Sequence, residues 1–523
     1  MKDPKTTVRR RPATQTEPIY YDNLTAGSNS PKETFYHDVH PPLAKMLVGL
    51  AEVVAGHNGT FNFKGDYPSY VNFTLIRAQI TLYGVALVPI AFITCRAMGF
   101  SLVMAILGSS FILFDNALTV MTRYILLDPP LLFFTSTTLM FVVLFYASEN
   151  FSREWYAYLS LTGISLGAVL SSKWVGLFCF GLVGFVTIED LMSKFEDLNL
   201  SLEVQLKHWT ARIFALILVP LVVYMCSFMI HFAILNKSGP GDSNMSAEFQ
   251  ATLLNNKLSN QAYLVAYGAS LSIRSSLIGN GYLHSHHSKY PSGSLRQQVT
   301  CYGHDDNNGK WTIRRQNSPI NYDYIHDSDS KLRQPDYVME GDYVILEHSN
   351  TKKFLFMDYT KSLVTTKEFE ASCNNYKEEN KKYFLWKVVI VDDTGTRKSK
   401  NLRTISSKFI LQNNATGEYL KARGTKLPEW GFDQMEVTGD KYVKSDAFIW
   451  TIEKNVHELV PATQLPINKP NFLTNFWRIN LQMAKTNSDL VPDKNKYNHL
   501  ESDPITWPFL MYPMRMFSEL QST

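Results

Sequence analysis

The sequence predicts a multi-pass α-helical membrane domain joined to an all-β domain that closes on itself. Three observations carry that prediction. Long apolar runs crowd residues 76–235, the chain turns polar and irregular over 236–523, and a threefold repeat runs through that second part.

Bulk properties agree with this division. The 523 residues suffice for two to four domains, and a formal charge of +4 gives no reason to expect nucleic acid as a partner. Five cysteines (Cys95, Cys179, Cys226, Cys301 and Cys373) lack CxxC spacing, so neither a zinc site nor a disulfide framework is indicated. The first three lie in apolar runs as buried thiols. Cys301 and Cys373 either pair or stay free.

In chain order, residues 1–34 read as a disordered, atypical N-terminus. Residues 35–75 form a loop containing "FYHDVHPPLAKML" (35–47). Pro41 and Pro42 suit the first turn of a helix and Gly56 its end. Between them Leu43, Met46, Leu47, Leu50 and Val54 recur at helical spacing. The spacing predicts an amphipathic helix over 42–55, lying at a membrane surface.

Six segments then reach the length and apolarity of membrane spans, for which about 20 helical residues are needed. They run near 76–97, 102–119, 125–147, 157–172, 174–191 and 213–235, with Lys173 in "SSKWVG" separating the fourth from the fifth. An even number of crossings places 35–75 and everything after 236 on one side. Acceptor tripeptides for N-glycosylation fall there at Asn58, Asn72, Asn236, Asn244 and Asn414, against one (Asn150) in an opposite loop. Arg96, Arg153, Lys194, Lys207 and Arg212 collect on that opposite side, so the positive-inside bias makes the first side lumenal.

Arg9, Arg10 and Arg11 favour a cytosolic start, whereas 35–75 is expected to be lumenal. That conflict predicts one further transmembrane helix between them, and the end at Thr523 predicts returning helices. The chain is expected to be incomplete at both ends.

Residues 236–262 read as a lumenal linker, 263–456 as the three repeats and 457–523 as a lumenal tail. Each repeat, of roughly 47–50 residues, has an alternating strand, a turn with Gly or Asn, a "Y/F-L" step and a closing "W-x-[IV]". Short, evenly spaced strands in a threefold repeat predict a closed antiparallel architecture. His284 and His286 alternate along one strand and share a face. A metal there needs further donors; a glycan- or peptide-contacting loop, or plain surface, is the competing reading.

The segments "YHDVHPPLAKML", "RYILLDPPLLFF", "SSKWVGLF", "HFAILNKSGPGDSNMSAEFQATL", "YLHSHHSKYP", "QQVTCYGHDDNNGKW" and "LPEWGFDQMEV", in that order, resemble protein O-mannosyltransferases of the endoplasmic reticulum. The likeness runs from residue 35 to about 510 and leans to the branch of the second vertebrate paralogue. It implies a GT-C-type membrane domain with an inserted MIR domain, a β-trefoil. It implies an enzyme moving mannose from dolichyl phosphate mannose to Ser or Thr hydroxyls with inversion. The lipid-linked donor is substrate, and no metal or other cofactor is implied. The implied partners are Ser/Thr-rich secretory or membrane proteins, dolichol lipid and a paralogous subunit in a heterodimer.

Such a transfer needs a base for the acceptor hydroxyl, cations for the departing phosphate and alignment of both substrates. The resemblance makes Asp38 and His40 one wall of the site, with Lys45 at the start of the interfacial helix beside the lipid phosphate. The competing reading is a helix cap and turn. Arg77 is either a snorkelling anchor or a phosphate ligand. Arg123, Asp128 and Lys173 are ionisable groups at lumenal helix ends, either functional or, for Arg123 and Asp128, a structural pair. The family's Asp-Glu base motif is not found in residues 1–75, and neither Asp22 nor Glu33 matches its context. Among the repeats only the first keeps "LHSH"; the second reads "LFMD" and the third "LKAR". The alternative function is a non-catalytic partner subunit or a lumenal glycan- or peptide-binding module.

Overall fold

The computed structural model describes residues 33–57, 70–317, 334–393, 400–490 and 505. Asn58 and the expectations for residues 1–32 and 491–523 fall outside these, apart from Ile505.

Helix α1 spans Leu43–Val54. Its buried residues are Ala44, Lys45, Val48, Gly49, Ala51 and Glu52, while Leu50, Val53 and Val54 stay exposed. The helix is thus apolar on two faces. One packs Ala44, Val48 and Ala51 onto Ile76, Ile80, Ile125 and Leu127; the other holds residues that the sequence pattern assigned to the membrane surface.

Helices follow in the expected order: α2 (Phe73–Ala97), α3 (Leu102–Phe114), α4 (Asn116–Met121), α5 (Asp128–Ala147), α6 (Arg153–Ser172), α7 (Leu177–Glu196), α8 (Leu202–Ile213) and α9 (Val219–Ile234). Among the described residues four stretches are long and apolar enough to cross a membrane: 73–97, 128–147, 174–196 and 202–234. The expected six spans therefore need two corrections. The second breaks at Asp115, whose side chain accepts from the Leu118 amide (2.7 Å) and caps α4, leaving α3 only 13 residues long. The fourth, α6, is long but carries small and polar residues because it runs inside the bundle. Thr162, Gly163, Ser165, Gly167, Ser171 and Ser172 are all buried along it.

Helix α6 lies backbone to backbone against α9 and the turn before it. A Cβ on Gly163 would lie 1.9 Å from the Ala215 carbonyl oxygen, and one on Gly167 2.7 Å from the Val223 Cβ. Gly163 and Gly167 form the small-xxx-small pattern that lets helix backbones touch in a membrane. Gly163 meets a π-helical turn, Phe214–Leu218, that joins α8 to α9, and Gly167 meets Pro220 and Val223 just beyond it. Proline has no N–H to donate to the preceding turn, so a widened turn at this point has a local cause.

After α9 come the short helix α10 (Ala247–Gln250) and the strand β1 (Asn260–Gln261). Twelve strands of the repeats follow: β2 (Ser270–Ser275), β3 (Tyr282–Lys289), β4 (Gln297–Tyr302), β5 (Lys310–Arg315), β6 (Tyr343–His348), β7 (Phe354–Lys361), β8 (Phe369–Asn374), β9 (Trp386–Asp393), β10 (Ser407–Asn413), β11 (Tyr419–Lys426), β12 (Met435–Asp440) and β13 (Trp450–Val456). Strands β2, β5, β6, β9, β10 and β13 pair in a ring that closes on itself. The hairpins β3–β4, β7–β8 and β11–β12 cap it, with β4, β8 and β12 pairing mutually in a triangle. That is a β-trefoil.

The sequence repeat has a direct physical basis. Each closing tryptophan donates its indole N–H to the carbonyl of the leucine in its own "Y/F-L" step. Trp311 reaches Leu283 (2.8 Å), Trp386 Leu355 (3.2 Å) and Trp450 Leu420 (3.1 Å), and all three indoles are fully buried. A buried indole N–H left unpaired is costly, so both motifs recur together. Cys301 and Cys373 occupy the same position in β4 and β8, each facing the core, and both thiols are free.

Strand β14 (Thr463–Gln464) pairs with β1, so the chain enters and leaves the trefoil side by side. The expected tail then contains an 18-residue helix, α11 (Phe472–Asp489). It packs on α9: Phe476 meets Tyr224 and Phe228, and the Tyr224 hydroxyl donates to Asn480 Oδ1 (2.5 Å). Trefoil and membrane helices are thereby tied together.

Candidate active site

The stretch 34–42 is held by two glycines. The Phe35 amide donates to the Lys237 carbonyl (2.8 Å), and the Phe35 carbonyl accepts from the Gly241 amide (3.2 Å). A Cβ on Gly239 would sit 2.2 Å from the Phe35 carbonyl oxygen, and one on Gly241 2.3 Å from the His37 nitrogen. "SGPGD" (238–242) is therefore the clamp on "FYHD" (35–38), and only glycine fits at those two positions. Asp242 fastens the clamp by accepting from Ser238 (2.6 Å), the Gly239 amide (2.9 Å) and Asn256 (2.9 Å).

From the clamp the chain turns through Pro41 and Pro42 into α1. Asp38, just before the helix, forms an ion pair with Lys45 in its first turn and also accepts from the Val39 amide (2.5 Å). Lys45 is 2% exposed, and its ammonium lies 5.7 Å from the Tyr36 ring centre. The expectation placed Lys45 at the headgroup plane. The structure turns it inward, because its side of α1 is the side packed on protein.

A second ion pair joins Lys173, at the C-cap of α6, to Asp128, in the first turn of α5 (3.2 Å). The Arg123–Asp128 pair, one of the two readings of those residues, is not formed; Lys173 takes that place, and Arg123 is exposed with no ion pair among the described residues. His40 lies in the field of the second pair. Burial, reinforced by Lys173 and opposed by Asp128, takes its imidazole down to about 4. His37 is likewise brought down to about 4 by burial and Lys45, with Nε2 3.2 Å from the Thr486 hydroxyl of α11. Both rings are neutral at physiological pH.

Arg77 stands in the first turns of α2, its guanidinium 5.4 Å from the Phe73 ring centre and its buried Nε without a hydrogen-bond partner. Thr81, one turn on, donates to the Thr122 carbonyl (3.2 Å), so Arg77 and Arg123 rise from adjoining turns. Two ion-paired lysines and two guanidiniums with no ion pair among the described residues thus surround this end of the bundle. Such cations can hold a phosphate.

In the trefoil, His284 and His286 share a face, ring centres 5.6 Å apart. His284 Nε2 lies 3.4 Å from Asp306, and Gln434 faces both rings. Burial lowers both imidazoles. Neither nitrogen of His286 has a partner, and Phe432 stands against its ring (4.9 Å). The other repeats fill the equivalent cleft with charge. Asp358 of "LFMD" pairs with Arg296 (2.5 Å); Arg423 of "LKAR" pairs with Glu368, which also holds Lys421 (2.8 Å). Arg296, Glu368 and Gln434 are equivalent positions, so two clefts are closed by ion pairs between repeats. The first-repeat cleft instead has the uncharged Gln434 in that place and Asp306 of its own repeat beside His284. Among the described residues no three His, Cys, Asp or Glu side chains converge as metal ligands would.

Residues 25–236 match the family model for dolichyl-phosphate-mannose-protein mannosyltransferase, and residues 281–452 that for the MIR domain. A solved Saccharomyces cerevisiae protein O-mannosyltransferase Pmt1-Pmt2 complex bound to the sugar donor superposes with a TM-score of 0.75 at 31% identity, over 94% of this chain and 67% of that one. The chain belongs to the protein O-mannosyltransferase family. Its membrane domain is of the GT-C type, and its trefoil is the family's MIR domain. It is 36% identical over 501 residues to dolichyl-phosphate-mannose–protein mannosyltransferase 2 of Candida albicans, and 37% identical over 506 to protein O-mannosyl-transferase 2 of Danio rerio. It covers 65% of the length of each, while those alignments take in 94% and 95% of this chain.

Within the family framework, the clamp and the buried company of Lys45 were missed from sequence. Two glycines flanking a proline in "SGPGD" were the available signal for a close backbone approach.

Proposed function

We propose that this protein O-mannosyltransferase chain serves the inverting transfer of mannose from dolichyl phosphate mannose to Ser and Thr hydroxyls of proteins in the endoplasmic reticulum lumen. The MIR domain is then lumenal, and the chain works beside a paralogous subunit, as the relative in the solved complex does. The observation that carries the reading is the pair of lysine–carboxylate contacts with the neutral His40 between α1 and α5. Lys45, Lys173, Arg77 and Arg123 supply positive charge where a lipid phosphate leaves. Asp38 is already committed to Lys45, which suits it to holding that lysine rather than to taking a proton from the acceptor. His40, neutral, can donate one hydrogen bond to a phosphate oxygen.

The test is mannosyl transfer to a Ser/Thr peptide by the purified chain, alone and with its paralogue. Lys45→Met and Lys173→Met should each lower kcat by about 100-fold or more, the size expected for removing a charge-stabilising donor. Asp38→Asn should cost less, because Lys45 remains. If Asp38→Asn abolishes transfer and Lys45→Met does not, the assignment is wrong.

One observation favours the binding-module reading instead: the first-repeat cleft is the one of the three not closed by an ion pair between repeats. A chain that binds mannosylated peptide but transfers nothing with any paralogue would establish it.

A further inference from the structure

A cavity lies away from the candidate active site. It is a cleft of about 790 Å³ between α11, the linker at Ser246–Glu248 and the β2–β13 side of the trefoil. Arg478 of α11 lines it. Its buried Nε has no hydrogen-bond partner, and among the described residues the guanidinium forms no ion pair. The neighbouring Arg274 is already served, by Glu453 (2.7 Å) and the Ser243 carbonyl. Asp446, also on the cleft, is exposed to solvent, so its charge needs no protein partner. Arg478 is the desolvated charge: burial, and then the Arg274 guanidinium, bring it down to about 10 although Glu248, Glu453 and Asp446 pull the other way. Glu248 and Asp446 also line the cleft, but among the described residues neither forms an ion pair with Arg478, so its guanidinium is open to a carboxylate brought by a ligand.

The rest of the cleft says what carries the anion. A free ion would leave most of 790 Å³ empty, a volume in the range of whole-ligand pockets. Trp477, 65% exposed, and Leu481 offer an indole and an aliphatic wall beside Arg478. Ser276 supplies a hydroxyl that can bond peptide N–H or C=O, and Asn471, whose Oδ1 caps α11, supplies an amide N–H for a peptide carbonyl. The cleft is built from trefoil and linker rather than from the apolar spans, which argues against a lipid headgroup.

We propose that this cleft binds an extended polypeptide segment, placing an acidic side chain on Arg478 and an apolar or aromatic one on Trp477. The site takes part in no covalent step, and its occupancy is read without turnover. Failure of mannosyl transfer leaves it standing.

The experiment uses the full chain in detergent and fluorescence anisotropy of a labelled decapeptide alternating Ser and Asp, with a Ser–Asn decapeptide as control. Expected is a preference of about tenfold for the acidic peptide, the size of one charge-assisted contact. Arg478→Gln should erase it, Trp477→Ala should weaken both peptides several-fold, and Arg478→Glu should shift preference to a Ser–Lys decapeptide. Tryptophan-monitored melting verifies that each variant is folded, and the reversal by Arg478→Glu tests the charge in a chain that still binds. Equal binding of the acidic and Asn peptides overturns the proposal. So does displacement of the acidic peptide by phosphatidylserine nanodiscs or by a neutral mannooligosaccharide, either of which would name a different occupant.

Discussion

Asn414 and Asn244 carry the same acceptor pattern and meet opposite surroundings. Asn414 is exposed at the turn between β10 and β11, and its side chain is free to carry a glycan. Asn244 donates from Nδ2 to the Gly241 carbonyl (3.4 Å) and accepts from Gln482 of α11 (3.1 Å), so a sugar on that nitrogen would part α11 from the clamp. Asn72 spends its Oδ1 on the Leu75 amide as the N-cap of α2 (3.1 Å). The expected outcome is a glycan at Asn414 and none at Asn244, checked by mass spectrometry of peptides after deglycosylation in heavy-oxygen water. Modification of Asn244 with Asn414 untouched would refute the placement. The same contrast measures what was legible at this scale. Charge at the ends of apolar runs drew attention to Asp128 and Lys173, and the resemblance drew it to Asp38, His40 and Lys45. Partners were not legible: Lys173 with Asp128 joins residues 45 positions apart, and nothing local distinguishes it from Arg123 with Asp128.

At the scale of elements, α6 shows why a hydropathy pattern misjudges an inner helix. Its buried Ser, Thr and Gly residues lower its apolarity, yet they are what brings α9 close. Gly163 faces a backbone carbonyl that cannot move aside, so Gly163→Leu should cost several kcal/mol and reduce the yield of folded chain at least about tenfold. Gly184 of α7 is the control: a Cβ there would meet nothing within 4 Å, and Gly184→Leu should express as wild type. Fluorescence-detected size exclusion reads both, and equal yields would sink the close-contact argument. The start of α1 was legible because Pro41 and Pro42 suit a helix's first turn, and the helix begins at Leu43. The break at Asp115 was not, because a single capping aspartate inside an apolar run leaves the periodicity intact.

The whole trefoil inherits from its threefold design a conflict that pH exposes. Gln298, Glu370 and Glu436 are equivalent residues on the strands of the hairpin triangle, all three buried. The repeat itself was legible, since one indole and one leucine carbonyl recur in each unit. The titration of its centre was not, because it depends on what each carboxylate finds across the triangle. Glu436 accepts from Ser362 and from Thr365 (2.7 Å), whereas Glu370 accepts from Ser294 alone and its Oε2 has no partner. Burial pushes the Glu370 carboxyl up to about 7 despite Ser294 and Arg296. A folded-state value raised above the ordinary 4.5 means the native state keeps a proton that the unfolded chain releases, so stability falls as pH rises from 4.5 through 7. His348 acts in the opposite sense. Burial brings it down to about 4 from 6.5, so its contribution is complete above 6.5 and is lost as pH falls towards 4. Glu370→Gln copies the first repeat and should remove only the alkaline loss. Melting followed by the fluorescence of buried Trp311, Trp386 and Trp450 should show the variant more stable by on the order of 1–3 kcal/mol at pH 8 and indistinguishable at pH 5. Parallel wild-type and variant profiles across that range would mean that Glu370 does not titrate near neutrality, and that the second repeat tolerates its carboxylate by some contact other than Ser294.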